Sequence, residues 1–237
     1  SAVTLPPLDT SPIPIAEPLS STPESSINAA ACMVQRNLQS AWSLGYCRMA
    51  VCLEAINDPE SLSADETRHL PVTSFRCFES GPLIQSPIPT HVALTKSSST
   101  MFRMDAGRLT RRGDFGLLRN RRLGIVTRSG ELACAESMPI PEDAINIRVA
   151  TSGLVQYQNA AGETCEAGRI SVCSVINPAE LQSEDGVIFE SQNVDNPVLH
   201  VDSADFLQPN TLEQSNVDQT YESLLLTYLK SLTQTSF

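Results

Sequence analysis

The chain has 237 residues, of which 41% are hydrophobic, 5% aromatic and 18% charged, and its formal net charge is −11. This length is sufficient for one large domain or two small ones with a buried core. No apolar run approaches the roughly 18 residues of a membrane-spanning helix, which argues against an integral membrane protein. The first residues lack the basic and apolar regions of a secretory signal peptide, so we expect none.

The basic residues are concentrated in one part of the sequence. Eight of the sixteen lie between Arg103 and Arg128, where only two acidic residues occur. This asymmetry favours contact between copies of the chain, because oppositely charged surfaces attract each other. The candidate charge contacts are Arg119, Arg121 and Arg122. Pairing of these arginines with acidic strands of the same domain is the alternative, and nucleic-acid binding is disfavoured because the acidic majority would repel phosphate.

The first 25 residues are rich in Pro and Ser and lack periodicity, which is typical of an extended arm. Over residues 26–57, apolar residues recur every three or four positions, which predicts one long helix. Ser25 or Ser26 can cap its start, and Asn57–Pro59 ends it. The candidate self-assembly stripe on this helix comprises Val34, Leu38, Met49 and Ile56. Residues 58–80 are expected to be a linker.

Residues 81–200 contain short apolar runs separated by turn residues, which predicts a β-rich antiparallel domain. The alternation of Ile145, Ile147 and Val149 indicates a strand with one buried face. The predicted strands lie at residues 91–94, 100–104, 123–127, 144–149, 154–157, 168–176 and 187–189. A second linker is expected at residues 201–214.

Residues 215–237 have the apolar spacing of an amphipathic helix, with Ser215, Asn216 or Asp218 available as its cap. The self-assembly stripe on this helix comprises Tyr221, Leu224, Leu225, Tyr228 and Leu232. Because the long N-terminal helix needs another long element to cover it, we expect the two terminal helices to pair. The predicted fold class is α+β, with N- and C-terminal helices pairing beside a central antiparallel all-β domain.

The residue types of common catalytic and metal sites are not grouped in this sequence. His69, His91 and His200 stand far apart and without metal-ligand spacing. The seven cysteines include no Cys-x-x-Cys pair, and a role as small hydrophobic residues is favoured over disulfides. No nucleophile is placed with a base and an orienting group, and no phosphate-binding loop occurs. We therefore expect no enzymatic activity, no cofactor and no metal.

Several motifs occur in the order found in one protein family. They are Thr110, Arg111, Gly113 and Phe115 in a Thr-Arg-x-Gly-x-Phe signature, Asn177 and Pro178 in a central segment, and Leu212, Ser215, Asn216 and Val217 in a Leu-Glu-x-Ser-Asn-Val segment. Over roughly residues 81–228 the chain thereby resembles bacterial flagellar rod and hook proteins, especially the distal and proximal rod members.

This resemblance implies a structural subunit of the flagellar basal-body rod, with terminal helices in an inner tube domain and a β-rich domain outside it. It implies export without a cleaved signal peptide, helical self-assembly in the periplasm-spanning rod, and transmission of torque from motor to hook. The implied partners are copies of the chain, other rod and hook proteins and the surrounding basal-body rings, with no nucleic acid and no membrane insertion. The alternatives are a β-domain binding module that holds an acidic ligand with the Arg-rich segment, and an unrecognised hydrolase.

Overall fold

The structure is a computed structural model that describes residues 23–53, 72–95, 99–183, 185–191 and 198–234. These residues form two α-helices and seventeen β-strands. The chain divides into two compact units. The terminal unit comprises Ser1–Trp42, Cys47–Cys77 and Val217–Phe237, and the central unit comprises Ser43–Tyr46 and Phe78–Asn216. No helix in the described ranges is long and apolar enough to span a membrane.

The terminal unit contains both helices and one β-hairpin. Its elements are α1 (Pro23–Ser40), β1 (Met49–Leu53), β2 (Val72–Arg76) and α2 (Gln219–Gln234). Strands β1 and β2 are antiparallel, with Met49 opposite Arg76 and Val51 opposite Ser74. Asp218 caps α2, because its Oδ1 accepts hydrogen bonds from the backbone N–H groups of Thr220 and Tyr221, both at 3.0 Å.

The core of the terminal unit is built on the hairpin as well as on helical residues. Its buried members are Ile27, Ala30, Met33, Val34, Met49, Val51, Val72 and Leu229. The buried Asn37 amide joins α1 to β1, because its Nδ2 donates to Met49 O at 2.7 Å and its Oδ1 accepts from Met49 N at 2.9 Å. The side chain of Asn37 thus makes the same two hydrogen bonds to Met49 that the backbone of a neighbouring strand would make.

The long helix predicted over residues 26–57 is wrong beyond Ser40, where α1 ends. Gly45 lies in a turn with φ +61°, and a Cβ on it would lie 2.6 Å from the backbone N of Arg112. Residues 49–53, predicted as helix, are the strand β1, in which Met49 and Val51 face the core. Residues 54–71, including Ile56, lie outside the described residues, and the remainder of the expected linker contains β2.

The central unit holds fifteen of the described strands. They are β3 (Leu83–Gln85), β4 (Val92–Leu94), β5 (Thr100–Arg103), β6 (Leu109–Thr110), β7 (Gly116–Leu117), β8 (Leu123–Thr127), β9 (Gly130–Ala133), β10 (Ile145–Val149), β11 (Leu154–Gln158), β12 (Thr164–Arg169), β13 (Val172–Val175), β14 (Ile188–Phe189), β15 (Val198–Val201), β16 (Leu207–Pro209) and β17 (Thr211–Glu213).

These strands form five small sheets in which every pairing is antiparallel. The sheet orders are β14-β6-β5-β13-β15, β10-β11-β12, β7-β8-β9, β16-β4 and β17-β3. Each predicted strand segment overlaps a strand, but residues 168–176, predicted as one strand, contain the end of β12 and the whole of β13. Where a linker was expected at residues 201–214, β16 and β17 pair with β4 and β3.

The core of the central unit collects buried residues from four of these sheets, whereas β3 and β17 contribute none to it. Phe102 and Phe115 lie at its centre, with ring centroids 5.0 Å apart and an interplanar angle of 79°. Such an edge-to-face arrangement is favoured for aromatic pairs. On β10 the predicted alternation is interrupted, because Asn146 has φ +52° and the register shifts between Ile145 and Arg148. Ile145 is therefore exposed.

The predicted fold class, terminal helices pairing beside one all-β domain, is wrong. The described chain is mostly β-structure, divided among six small antiparallel sheets, and α1 and α2 are its only α-helices. The physical reason is the hairpin, since β1 and β2 occupy part of the core that the prediction assigned to a second half of the N-terminal helix. Strand pairing organises the central unit, whereas in the terminal unit a single hairpin shares the core with residues of both helices.

Candidate functional site

The two main motifs of the sequence meet inside the central unit at an ion pair. Nη2 of Arg111 lies 2.9 Å from Oε2 of Glu213, and the two side chains are 1% and 2% exposed. Nε of Arg111 donates to both carboxylate oxygens at 3.0 and 3.1 Å. Other Arg111 donors bond Thr100 O at 2.8 Å and Ser80 Oγ at 3.1 Å. Oε1 of Glu213 also accepts from Gly81 N at 3.0 Å.

This ion pair is enclosed by protein groups. Both charges are removed from water, and each is satisfied by the other and by neighbouring polar atoms. A buried pair of this kind contributes to a defined arrangement, and removal of one partner leaves an unpaired buried charge. The arrangement therefore joins β17 to the segment that follows β6, and it leaves the charges enclosed rather than presented to a ligand.

Gly113 of the same signature allows a close approach between two backbone segments. Its carbonyl accepts a hydrogen bond from Val92 N at 3.0 Å. A Cβ on Gly113 would lie 1.7 Å from Val92 O, which no side-chain adjustment can relieve because the obstructing atom is backbone. The signature therefore requires glycine here for steric reasons.

Thr110 and Phe115 complete the signature as interior residues. Thr110 Oγ1 donates to Val187 O at 2.8 Å, and its side chain is buried. Phe115 packs against Phe102 in the core. All four residues of the signature thus stabilise the central unit.

The Leu-Glu-x-Ser-Asn-Val segment lies at the end of the central unit. Leu212 is buried on β17, and Ser215 is buried beyond it. Asn216 Nδ2 donates to Glu79 O at 2.9 Å. Val217, which is half-buried, is the first residue of this segment in the terminal unit. The segment therefore anchors the chain immediately before α2 begins.

Asn177 and Pro178 lie in an exposed turn of the central unit. Pro178 is the first residue of a short 3-10 helix that ends at Glu180. Asn177 Nδ2 donates to Glu180 Oε1 at 2.8 Å. Their role in the structure is to close this local turn.

Of the three candidate charge-contact arginines, Arg119 has the most accessible side chain. It is 95% exposed, and its Nε lies 3.6 Å from Oε1 of Glu131. Arg121 is half-buried and has φ +65°. Its Nε donates to Ile140 O at 3.0 Å. Arg119 is thus the member of the three that a neighbouring molecule can reach most easily.

Arg122 is engaged within its own chain. Its Nη2 donates to Oδ1 of Asp105 at 2.9 Å, and its Nε donates to Ser137 O at 2.7 Å. The hydrogen bond to Asp105 raises the pKa of the guanidinium above its ordinary value. In the same window, Arg112 Nη2 donates to Asp114 Oδ2 at 2.9 Å. Much of the basic segment is therefore paired with carboxylates of the central unit.

The predicted N-terminal stripe does not form one surface. Val34 and Met49 are buried in the core of the terminal unit, and Leu38 is half-buried. Met49 lies on β1 rather than on a helix. Ile56 lies outside the described residues.

The C-terminal stripe divides into a buried and an exposed part. Leu225 and Leu232 are half-buried against the core to which Leu229 belongs. Tyr221, Leu224 and Tyr228 are 50%, 67% and 48% exposed. We call these three residues the α2 stripe; their spacing of three and four places them on one side of the helix. The structure thus leaves an apolar strip of α2 in contact with solvent.

Comparison of the chain with models of known protein families and with curated proteins finds no match.

Three buried polar residues were missed as structural determinants: Glu213, Glu222 and Asn37. Glu222 accepts hydrogen bonds from Asn37 Nδ2 and from Arg48 Nη1, each at 3.2 Å. Burial raises the pKa of the Glu222 carboxyl above its ordinary value, although these two donors oppose that shift. The available sequence signal was a single carboxylate within the otherwise uncharged first three turns of α2.

The titratable side chains that remain do not assemble a reactive centre in the described ranges. His91 Nδ1 lies 2.8 Å from Ser86 Oγ, and partial burial lowers the pKa of this histidine. Burial raises the pKa of the Cys173 thiol to about 12, so this cysteine stays protonated at neutral pH. Within the part of the chain that the structure describes, no three potential ligands are grouped to hold a metal ion.

Proposed function

We propose that this protein is a structural subunit of the bacterial flagellar basal-body rod. In this proposal the subunit assembles helically with copies of itself, and the resulting shaft transmits torque from the motor to the hook. Its further partners are other rod and hook proteins and the surrounding basal-body rings. It reaches the periplasm-spanning rod by flagellar export.

The observation that carries the proposal is the exposed α2 stripe. Tyr221, Leu224 and Tyr228 place three large side chains on one side of a helix whose other side is anchored by Leu229. Burial of apolar surface against a neighbour is favourable by about 25 cal/mol per Å², so such a strip supports association between subunits.

The arrangement of the motif residues supports the same function. Arg111 and Glu213 belong to the two segments that resemble the rod and hook family, and they contact each other in the interior. Their enclosure supports a framework role for the motifs, as expected for a subunit whose function is mechanical.

The charge distribution supports contact between copies at a second place. Arg119 is a nearly fully exposed cation on a chain with a formal net charge of −11. A cation in this position attracts acidic surface on a neighbouring subunit, and the attraction weakens as salt screens it. We therefore expect Arg119→Glu to slow assembly at low ionic strength and to have a smaller effect at high ionic strength.

Electron microscopy of the purified full-length chain tests the proposal. The chain is imaged alone and after mixing with purified rod and hook proteins, over a range of concentrations. We expect tubular or helical particles, at least in the mixtures. Single particles of subunit size under every condition, in a chain shown to be folded by circular dichroism, would contradict the proposal.

A further inference from the structure

The C-terminal helix has two sides that could serve as its buried side. One carries Leu225, Leu226 and Leu229, and it faces the core of the terminal unit. The other is the α2 stripe, which lies roughly 120° around the helix from the first at 100° per residue. Because both sides are apolar, hydrophobic burial alone specifies the rotation of this helix weakly.

The buried side includes a carboxylate, whereas the exposed side carries no charge. The Glu222 side chain is 1% exposed and projects from the same side of α2 as Leu225, Leu226 and Leu229. Removal of a carboxylate from water is unfavourable unless hydrogen bonds compensate for the lost hydration. The observed rotation is therefore favourable only where specific partners meet this carboxylate.

Two partners meet the carboxylate, and one of them, Asn37, is also bonded to β1. Asn37 donates to Oε2 of Glu222 and bonds both backbone groups of Met49 on β1. Arg48, the residue before β1, donates to Oε1 of Glu222. Its guanidinium carbon also lies 6.0 Å from the ring centroid of Tyr221. Glu222 makes its hydrogen bonds to Asn37 and Arg48 in the observed rotation of α2.

We infer that Glu222 is a positioning residue that selects which side of the C-terminal helix is buried. Its bonds to Asn37 and Arg48 form in one rotation of α2 and offset part of the cost of its burial. That rotation leaves the α2 stripe facing solvent. A buried polar group that specifies one arrangement among several apolar ones is the best-attested use of such groups in helical packing.

The rotation of the helix can be measured by thiol labelling at one position on each side. The starting chain carries Cys32→Ser, Cys52→Ser and Cys165→Ser, which remove the exposed and half-buried thiols; the remaining four cysteines are buried. Leu224→Cys or Leu229→Cys is then added, and the rate of reaction with a maleimide is measured for each. With Glu222 present, we expect the thiol at 224 to react at least ~100-fold faster than the thiol at 229, because the latter requires local opening.

Substitution of Glu222 provides the decisive comparison. With Glu222→Leu, we expect the rate at position 224 to fall and the rate at position 229 to rise, so that the ratio drops below ~10-fold. A loss of stability alone would raise the rate at 229 without lowering the rate at 224. With Glu222→Gln, whose amide oxygen can still accept from Asn37 or Arg48, we expect the original ratio.

Thr227→Leu is the matched control, because it adds a leucine on the exposed side and leaves the carboxylate in place. We expect Thr227→Leu to preserve the ratio of the labelling rates at positions 224 and 229. If Thr227→Leu made position 229 react faster than position 224, apolar area alone would set the rotation of the helix. An unchanged ratio in folded Glu222→Leu would also overturn the inference. If circular dichroism shows that Glu222→Leu does not fold, Glu222→Ala carries the same test; unfolding of both would assign Glu222 to folding itself and contradict the inference.

This labelling is performed at concentrations at which the subunit is a monomer, because assembly through the α2 stripe would also protect the thiol at 224. A changed ratio without tubular particles would support the positioning role and contradict the proposed function. Tubular particles together with an unchanged ratio in Glu222→Leu would support the proposed function and contradict the positioning role.

Discussion

Arg111 and Glu213 are 102 residues apart in the chain and form a charge pair in the interior of the central unit, where both side chains are almost fully buried. The pair joins the segment after β6 to β17. The two partners come from the two sequence motifs that most suggest the function of the protein. The contact therefore links the stability of the central unit to one residue from each of these two motifs.

Removal of one partner of this pair is expected to destabilise the protein strongly. Arg111→Met or Glu213→Leu leaves a buried charge without its counter-ion, and we expect a loss of ~3–5 kcal/mol in the free energy of unfolding. The double variant is expected to lose less than the sum of the two, because neither charge then remains. Urea unfolding monitored by circular dichroism measures the three values. Additive losses would contradict the account of the pair as one unit.

A methyl group at position 113 is expected to be far more disruptive than one at position 116. A Cβ at Gly113 would lie 1.7 Å from Val92 O, whereas nothing lies within 4 Å of a Cβ at Gly116. We expect Gly113→Ala to lower the free energy of unfolding by at least ~2 kcal/mol and Gly116→Ala to change it by less than ~1 kcal/mol. Thermal unfolding of the two variants compares them directly. Equal stabilities would show that the backbone near Val92 can move.

The stability of the protein is expected to depend on the protonation of Glu222. Burial raises the pKa of this carboxyl in the folded chain above its value in the unfolded chain. The folded state therefore binds the proton more tightly, and the resulting stabilisation is fully present below the unfolded pKa and is lost as the pH rises through the folded pKa. Relative to Glu222→Gln, the natural chain is thus expected to gain stability as the pH falls from 7 toward 4.5.

Paired urea titrations of the natural chain and Glu222→Gln at each pH measure this difference, because the contributions of other groups largely cancel. A difference that is constant with pH would contradict the raised pKa. A difference that grows in the opposite direction would mean that the bonds to Asn37 and Arg48 outweigh burial.

Arg121 is expected to tolerate glycine better than alanine. Its φ of +65° lies in the left-handed region, and its guanidinium donates to Ile140 O at 3.0 Å. Both substitutions remove this hydrogen bond, but glycine also relieves the backbone strain. We expect Arg121→Gly to be more stable than Arg121→Ala by ~0.5–1 kcal/mol. Thermal unfolding tests the order of the two variants, and the reverse order would show that the strain at this position is negligible.

The local elements of the fold followed from the sequence more readily than their arrangement. Short apolar runs between turn residues predicted the positions of strands such as β4, β5 and β8, because each run is short and bounded. The run Met49–Leu53 was assigned to a helix, since five apolar residues that continue a three-to-four spacing do not distinguish the two structures. Gly45 was the available sign that the helix ends earlier.

The buried polar residues were the least predictable part of the site. Glu213 and Glu222 are acidic residues of ordinary appearance, and their burial depends on partners more than a hundred positions away. Apolar spacing likewise grouped Tyr221 and Leu224 with Leu225, whereas in the structure Tyr221 and Leu224 are exposed and Leu225 is half-buried. The burial of Glu222 and Glu213 depends on where the fold places Asn37 and Arg111. The residues next to each glutamate in the sequence do not indicate this placement.

Association through the α2 stripe is tested most directly by sedimentation velocity over a range of concentrations. The chain is compared with a variant carrying Tyr221→Gln, Leu224→Gln and Tyr228→Gln, and with a control carrying Val126→Gln, Ile145→Gln and Ile176→Gln, which alters exposed apolar residues of the central unit. We expect the natural chain and the control to form larger species as concentration rises, and the stripe variant to remain a monomer with unchanged circular dichroism. Equal association of the stripe variant and the natural chain would contradict assembly through the C-terminal helix.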